Sequence, residues 1–243
     1  VIAPTSSIHK TTLIVLHGRG GKAERFAAPL LENLVSPLAS TISEPQSHSF
    51  HSYFPHTKFI FPTASLRRAV AYNRSLIHQW FDMYPLDRFS PEHKQHVQLP
   101  GLRESVVHIH GLLKEATEEV GTNNVVLMGL SQGCAVGLLS LMLWRGEALG
   151  AFVGMCGWLP LRKSMLESLE PVDVFGEDGG DVFERDDMEE EEEEEDTREF
   201  EQAVEWLSEE LELPRSEIGL KGVRNISVQQ TPVFLGHGIE DER

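Results

Sequence analysis

The feature that most restricts the fold of this chain is an apolar stretch at residues 125–144 that contains a single break. The stretch reads VVLMGLSQGCAVGLLSLMLW, and the break is GLSQG at residues 129–133. An unbroken stretch of this length could cross a membrane, but the break divides it into a short strand and a separate helix, each too short to span a bilayer. We therefore predict a buried strand followed by a buried helix, and no transmembrane segment. Residues 1–10 also lack the basic start and apolar block of a signal peptide.

Further apolar runs of strand length recur along the chain, and helical patterns separate them. With the strand of the interrupted stretch, the runs occupy residues 11–17, 58–62, 124–128, 151–155 and 232–235. The clearest helical stripe has apolar residues spaced three and four apart, at Val106, Ile109, Leu113, Ala116 and Val120. Continuous apolar runs are typical of strands covered on both faces. The pattern predicts one α/β domain over residues 1–243, a mostly parallel sheet with helices on both faces and its chemistry at the carboxyl ends of the strands.

An acidic insertion at residues 170–215 interrupts this alternation. The formal net charge of the chain is −17, and ten of its negative charges lie between residues 186 and 196. Because like charges repel and nothing apolar there can be buried, we expect a solvated, disordered insertion; a docking tail for a basic partner is the alternative. A short amphipathic helix is expected after the run, with its apolar face at Phe200, Val204, Leu207 and Leu211. The acidic balance argues against nucleic acid or an anionic lipid surface as the main partner.

The break in the apolar stretch places Ser131 between two glycines, at the junction of a strand and a helix. This is the G-x-S-x-G pattern of a nucleophile elbow, in which the glycines relieve crowding in a strained turn that lifts the serine clear of the sheet. A purely structural turn is the alternative, but the strand before and the helix after favour a catalytic serine. The oxyanion formed on attack needs backbone donors. We expect the N–H groups of Gln132, in the elbow, and of Arg19, in the HGRGG loop after the first strand.

Two acidic residues follow the last predicted strand, in the segment TPVFLGHGIEDER. In the chain order of such hydrolases, the acid follows the serine and the histidine comes last. Asp241 could hold an imidazole in the correct tautomer, and Glu240 is the second choice for this role. An acidic surface loop is the alternative interpretation.

Five segments together resemble the acyl-protein thioesterase family, the phospholipase/carboxylesterase-type α/β-hydrolases. They are VLHGRGG, FPTASLRRAVAYNRSLIHQWFDM, GLSQG, GMCGWLP and TPVFLGHGIED, and they cover nearly the whole chain apart from the insertion. The resemblance implies an α/β-hydrolase fold that cleaves thioesters such as S-palmitoyl cysteine on proteins, lysophospholipids and small carboxylic esters, with no metal or cofactor. It also implies Ser131 as the nucleophile and Asp241 as the triad acid, and it supports Arg19 and Gln132 as the oxyanion donors.

The same resemblance suggests where an acyl group would bind. The segment WFD at residues 80–82 is similar to the part of the family near the acyl site, so we expect Trp80 to line that pocket, with a buried core tryptophan as the alternative. Trp158 and Leu159, in the segment GWLP, are further candidate walls of an apolar pocket.

The chain departs from the family pattern at the catalytic histidine. In the family this histidine lies downstream of the aspartate, and none of the eleven histidines here fits that position. We expect His17, in the oxyanion loop, and His237, at the end of the last strand, to be structural hydrogen-bonding groups. Cys134 stands where relatives usually carry glycine. We therefore expect a fragment truncated after the strand that carries the triad acid, with negligible turnover on its own because one triad member is missing.

Three functions follow from these features. The first is a cytoplasmic hydrolase of S-acylated proteins or small acyl esters and thioesters. The second is another hydrolase on the same fold, such as a short-chain carboxylesterase or a dienelactone-hydrolase-like enzyme, although the latter expects cysteine at the elbow. The third is a non-catalytic interaction protein that binds through its acidic arm. The cytoplasm is expected because the two cysteines, Cys134 and Cys156, lie in apolar surroundings and form no disulfide framework.

Overall fold

The computed structural model of the chain describes residues 1–35, 48–86, 88–169, 188–213 and 226–238, with the backbone alone at 188–196 and 226–227. The strands of the described residues are β1 (Thr11–Leu16), β2 (Leu34–Val35), β3 (His48–Ser49), β4 (Thr57–Ile60), β5 (Leu66–Ala69), β6 (Ser75–His78), β7 (Val125–Leu130), β8 (Ala151–Met155) and β9 (Val233–Gly236). The helices are α1 (Ala23–Glu32), α2 (Phe50–Tyr53), α3 (Leu99–Val120), α4 (Gln132–Met142), α5 (Arg162–Glu167), α6 (Met188–Glu210) and α7 (Ile226–Gln230). None of the helices within these residues is long and apolar enough to cross a membrane.

Five strands form the main sheet, in the order β4-β1-β7-β8-β9. Every pairing in this sheet is parallel, with Ile14 of β1 lying beside Leu127 of β7, for example. The five strands coincide with the five apolar runs, which confirms the predicted α/β fold with a mostly parallel sheet. Because the strands are parallel, all their carboxyl ends lie at one edge of the sheet. The loops that follow them therefore meet there.

Helices cover both faces of this sheet, as predicted. Alternate side chains of a strand point to opposite faces. On one face, Leu13 and Val15 of β1 pack with residues of α1. On the other face, Ile14 and Leu16 belong to a larger cluster with residues of α3 and α4. The predicted stripe of α3 lies in that cluster, and its buried members are Val106, Ile109, Leu113 and Ala116.

The acidic run continues into a long helix, which differs from the short helix expected after it. Helix α6 begins at Met188, so the backbone of the glutamate run is helical. Glutamate is a good helix former, and negative side chains near a helix N-terminus interact favourably with the helix dipole. The predicted apolar face is in place, since Val204, Leu207 and Leu211 are buried in the main core cluster. The helix thus occupies part of the segment predicted to be disordered, and residues 170–187 and 214–215 of that segment lie outside the described residues.

Candidate active site

Ser131 forms a sharp turn between the end of β7 and the start of α4. Its backbone has φ 53° and ψ −119°, a combination that a residue with a Cβ rarely adopts. The turn is held because the Ser131 N–H donates a 2.8 Å hydrogen bond to the carbonyl oxygen of Met155, at the end of β8. Strain of this kind at a strand–helix junction is the geometry of a nucleophile elbow.

The two glycines of the elbow permit close backbone contacts that no larger residue would allow. A Cβ atom at Gly129 would collide with the carbonyl oxygen of Gly133, in the first turn of α4. A Cβ atom at Gly133 would collide with the carbonyl oxygens of Leu16 and His17, at the end of β1. The glycines therefore let α4 approach both β7 and β1, which brings the loop after β1 beside the serine.

Two backbone N–H groups near Ser131 have the surroundings expected of oxyanion donors. Gln132 is the first residue of α4, so its N–H has no acceptor within the helix and lies at the positive end of the helix dipole. In the loop after β1, the N–H of Gly20 donates to His78 and that of Gly21 donates to Gly18. Among the described residues, the N–H of Arg19 has no such acceptor. Both predicted donors are thus available, and their catalytic role is taken up below as a proposal.

A cleft of about 490 Å³ opens beside Ser131. Its lining residues come from the ends of β7, β8 and β9 and from the loop before α3: Ser131, Cys156, Gly157, Trp158, His237, Leu86, Arg88, Phe89, Ser90 and Pro91. Most of the lining side chains from the loop before α3 are apolar, so this wall of the cleft is hydrophobic. This loop could not be predicted from the sequence, because its residues have neither strand nor helix periodicity.

The three predicted pocket residues lie in different places. Trp158 lines the cleft. Leu159 is half-buried and packs against the core instead of lining the cleft. Trp80 is only 1% exposed and lies in the core, away from the cleft wall. The physical reason is its indole N–H, which finds a buried acceptor in the carbonyl oxygen of His17 at 2.7 Å.

The two histidines singled out from the sequence have different surroundings. His17 is buried, and its Nε2 accepts a 3.0 Å hydrogen bond from the N–H of Ala64, so its Nδ1 carries the proton and donates to the carbonyl oxygen of Gly18 at 2.7 Å. Burial lowers the pKa of His17, so the ring is neutral near pH 7. His237 is exposed, and among the histidines of the described residues it alone lines the cleft.

The predicted triad acid, Asp241, and its alternative, Glu240, lie outside the described residues. Strand β9, which precedes them, nevertheless ends at the edge of the sheet where the cleft lies. The N–H of Cys156, after β8, donates a 2.8 Å hydrogen bond to the carbonyl oxygen of Gly236, the last residue of β9. The loop that starts at His237 therefore leaves the sheet beside the cleft.

The two cysteines are free thiols in unlike positions. Cys134 is buried behind the elbow, and burial raises the pKa of its thiol to about 11, so it is not a nucleophile at neutral pH. Cys156 is half-buried and lines the cleft because it follows the end of β8, where its backbone has φ 51°. Within the described residues, no cluster of histidine, cysteine and acidic side chains could hold a metal ion.

Comparisons with known proteins match this architecture. The sequence profile of the phospholipase/carboxylesterase family matches residues 1–175. The acyl-protein thioesterase 1 of Yarrowia lipolytica is 31% identical over 165 residues, which are 67% of this chain and 63% of that protein. The protein of the same name from Kluyveromyces lactis is 28% identical over 171 residues, which are 69% of this chain and 65% of that protein. This chain therefore spans less than two thirds of the length of either relative.

A solved structure supports the fold alone. The crystal structure of Zea mays acyl-protein thioesterase 2 superposes with a TM-score of 0.50 at 18% sequence identity, and the match covers 98% of this chain and 87% of that chain.

Proposed function

The chain belongs to the phospholipase/carboxylesterase family of α/β-hydrolases, and on that basis we propose that the protein hydrolyses carboxylic esters or thioesters with Ser131 as its nucleophile. The observation that carries this proposal is the strained backbone of Ser131 at the strand–helix junction, facing an apolar cleft. The fold keeps that conformation although a serine with a packing role would have no need of it.

The proposed reaction proceeds by acyl transfer to the serine. Ser131 Oγ attacks the carbonyl carbon of the substrate, and the N–H groups of Gln132 and Arg19 stabilise the resulting oxyanion. Collapse of the tetrahedral intermediate expels a thiol or alcohol and leaves an acyl-serine. Attack of water on the acyl-serine then releases the carboxylic acid and restores the hydroxyl.

Proton transfer requires an imidazole, which we assign to a Ser-Asp-His triad. The histidine accepts the serine proton and passes it to the leaving group, and Asp241 orients the ring. We propose that this histidine lies downstream of Asp241, in line with the family resemblance. We therefore expect residues 1–243 alone to turn over substrate slowly, since loss of one triad member removes several orders of magnitude in rate.

The cleft favours a substrate with an apolar acyl chain. Its apolar wall is formed by Leu86, Phe89, Pro91 and Trp158, and its volume of 490 Å³ is within the usual range of about 300–1,000 Å³ for ligand pockets. We infer that the acyl group of an S-acylated cysteine on a protein lies along this wall. The name of two relatives, acyl-protein thioesterase 1, is in line with this choice. We further propose that the protein acts in the cytoplasm, consistent with its two free thiols, and that the acidic run contacts a basic partner.

Labelling of the full-length protein with a fluorophosphonate probe tests the proposal. The probe should form an adduct at Ser131, and the Ser131→Ala variant should form none. Ser140→Ala is the matched control, because Ser140 is on the same helix, is buried and donates its hydroxyl to the carbonyl oxygen of Val136 away from the cleft. That variant should label like the wild type. A folded wild-type protein without an adduct at Ser131 would instead favour the non-catalytic interaction protein.

A further inference from the structure

We propose that the side chains of Gln132, Trp80 and His17 form a buried brace that fixes the oxyanion loop, residues 17–21, against the nucleophile elbow, residues 129–133. The brace sets the spacing between the two oxyanion donors. This inference rests on the proposed function, because it assigns positioning roles to three side chains that do not touch the substrate.

The side chain of Gln132 begins the brace. It is 1% exposed, so it is unable to reach a bound substrate. Its Nε2 donates a 2.8 Å hydrogen bond to the carbonyl oxygen of Phe81, and its Oε1 accepts a 3.0 Å hydrogen bond from the N–H of Trp80. The donor and the acceptor of the side-chain amide therefore both bind the backbone segment of Trp80 and Phe81. The residue that begins α4 is thus fixed through its own side chain.

The backbone segment of Trp80 and Phe81 is in turn held by helix α3. Ser105, on α3, donates its hydroxyl to the carbonyl oxygen of Trp80 at 2.6 Å. A Cβ atom at Gly101 would collide with Phe81, so the segment lies directly on the same helix. Helix α3 has 22 residues and packs on this face of the sheet, and it provides a rigid support for the brace.

Trp80 then connects the segment to the oxyanion loop. Its indole N–H donates a 2.7 Å hydrogen bond to the carbonyl oxygen of His17, the first residue of the loop. The two rings lie close, with centroids 5.1 Å apart. Because both side chains are buried, this bond has no competition from water.

His17 completes the brace at the peptide unit that carries the second donor. The carbonyl of Gly18 and the N–H of Arg19 belong to one planar, trans peptide unit, so they point in opposite directions. The Gly18 oxygen accepts hydrogen bonds from His17 Nδ1 at 2.7 Å and from the N–H of Gly21 at 3.0 Å. These two bonds fix the direction of the carbonyl and thereby aim the Arg19 N–H. His17 is held in turn by the N–H of Ala64.

Replacement of one tryptophan tests the brace against a matched control. Trp80→Phe keeps most of the ring volume but removes the bond to His17. Trp144→Phe is the control, because Trp144 follows the other end of α4 and its indole N–H also donates to a backbone carbonyl, that of Glu147, at 3.0 Å. We expect Trp80→Phe to lower kcat on a 4-nitrophenyl acyl ester about tenfold, the effect of one misplaced neutral hydrogen bond, with KM changed less than about twofold. Trp144→Phe should match the wild type in both constants.

Two further readouts separate positioning from general destabilisation. The rate of fluorophosphonate labelling at Ser131 should fall in parallel with kcat, since the probe also develops charge at the oxyanion position. Hydrogen exchange of the backbone amides at residues 18–20 should accelerate in Trp80→Phe and remain unchanged in Trp144→Phe. Should Trp80→Phe fail to fold, Gln132→Met serves instead, because it keeps the length of the side chain but removes both the acceptor for Trp80 and the donor to Phe81.

The outcomes distinguish the brace from the proposed function. If the wild-type protein forms no adduct at Ser131, the proposed function fails, and the exchange measurement alone decides on the brace. If the wild-type protein labels and Trp80→Phe retains its kcat, labelling rate and amide exchange, the brace is overturned while the serine hydrolase stands.

Discussion

Ser131 holds a backbone conformation that its own Cβ disfavours, and three neighbouring groups keep it there. Its N–H is bonded to Met155, its carbonyl oxygen accepts from Ala135 in the first turn of α4, and Gly133 allows that helix to press on β1. The conformation is stable only because the surroundings determine it. Strain of this type is of order 1–3 kcal/mol per residue.

Ser131→Gly should therefore stabilise the fold while it removes the nucleophile. Glycine adopts positive φ without a steric penalty, although it also makes the unfolded chain more flexible. We expect a net rise of about 1 kcal/mol in the free energy of unfolding, measured by urea denaturation. Ser131→Ala is the control, because alanine retains the Cβ and should leave stability within about 0.5 kcal/mol of the wild type. Equal stabilities for the two variants would contradict the assignment of strain to the Cβ.

Single residues also show where prediction from sequence stops. The glycines of the elbow could be predicted, because a tight strand–helix turn requires them at fixed positions. The place of Trp80 could not, because it depends on a carbonyl acceptor 63 residues earlier in the chain. The position of Cys156 on the cleft wall likewise depends on the pairing of β8 with its neighbours.

Helix α6 illustrates the scale of whole elements. The sequence predicts its second half well, because Val204, Leu207 and Leu211 recur at helical spacing and all three are buried. Its start at Met188 was not predictable from periodicity, since a run of glutamates has no apolar face. At the end of the helix, Arg103 of α3 and Glu212 form an ion pair at 2.6 Å. Both side chains are exposed, so we assign the attachment of α6 to its apolar residues.

Leu207→Ala should show how strongly α6 is attached to the domain. Leu207 is completely buried in the core cluster, and its truncation should lower the free energy of unfolding by about 2–5 kcal/mol through lost burial and a residual cavity. Glu209→Ala, at an exposed position two residues further on, should change it by less than about 0.5 kcal/mol. Chemical denaturation followed by circular dichroism measures both. A loss below 1 kcal/mol for Leu207→Ala would mean that α6 contributes little to the domain.

At the scale of the whole molecule, the sheet of the described residues has an apolar edge. β9 is the last strand in the sheet order, and three consecutive side chains on it are largely exposed, Val233, Phe234 and Leu235. Neighbouring side chains of a strand point to opposite faces, so apolar surface is exposed on both faces of this edge. Such an edge favours pairing with other chains.

A single charge on this edge should reduce self-association. We expect residues 1–243 to associate in a concentration-dependent way, and Phe234→Lys to shift sedimentation-velocity profiles toward the monomer. Leu166→Lys is the control, because Leu166 is an exposed apolar residue of α5, outside the sheet. It should leave the profiles unchanged. Equal effects of the two lysines would show that net charge, and not the β9 edge, governs association.

The order of the strands in the sheet also determines when each strand can pair with its neighbours during translation. β1 leaves the ribosome before both of its neighbours in the sheet, β4 and β7, and β7 ends at Leu130. At roughly 5–20 residues per second, translation reaches that point roughly 6–23 s after β1 is complete. During this interval β1 has no second neighbour to pair with it, so a strand that is made before its partners waits for the later one before both of its edges are paired.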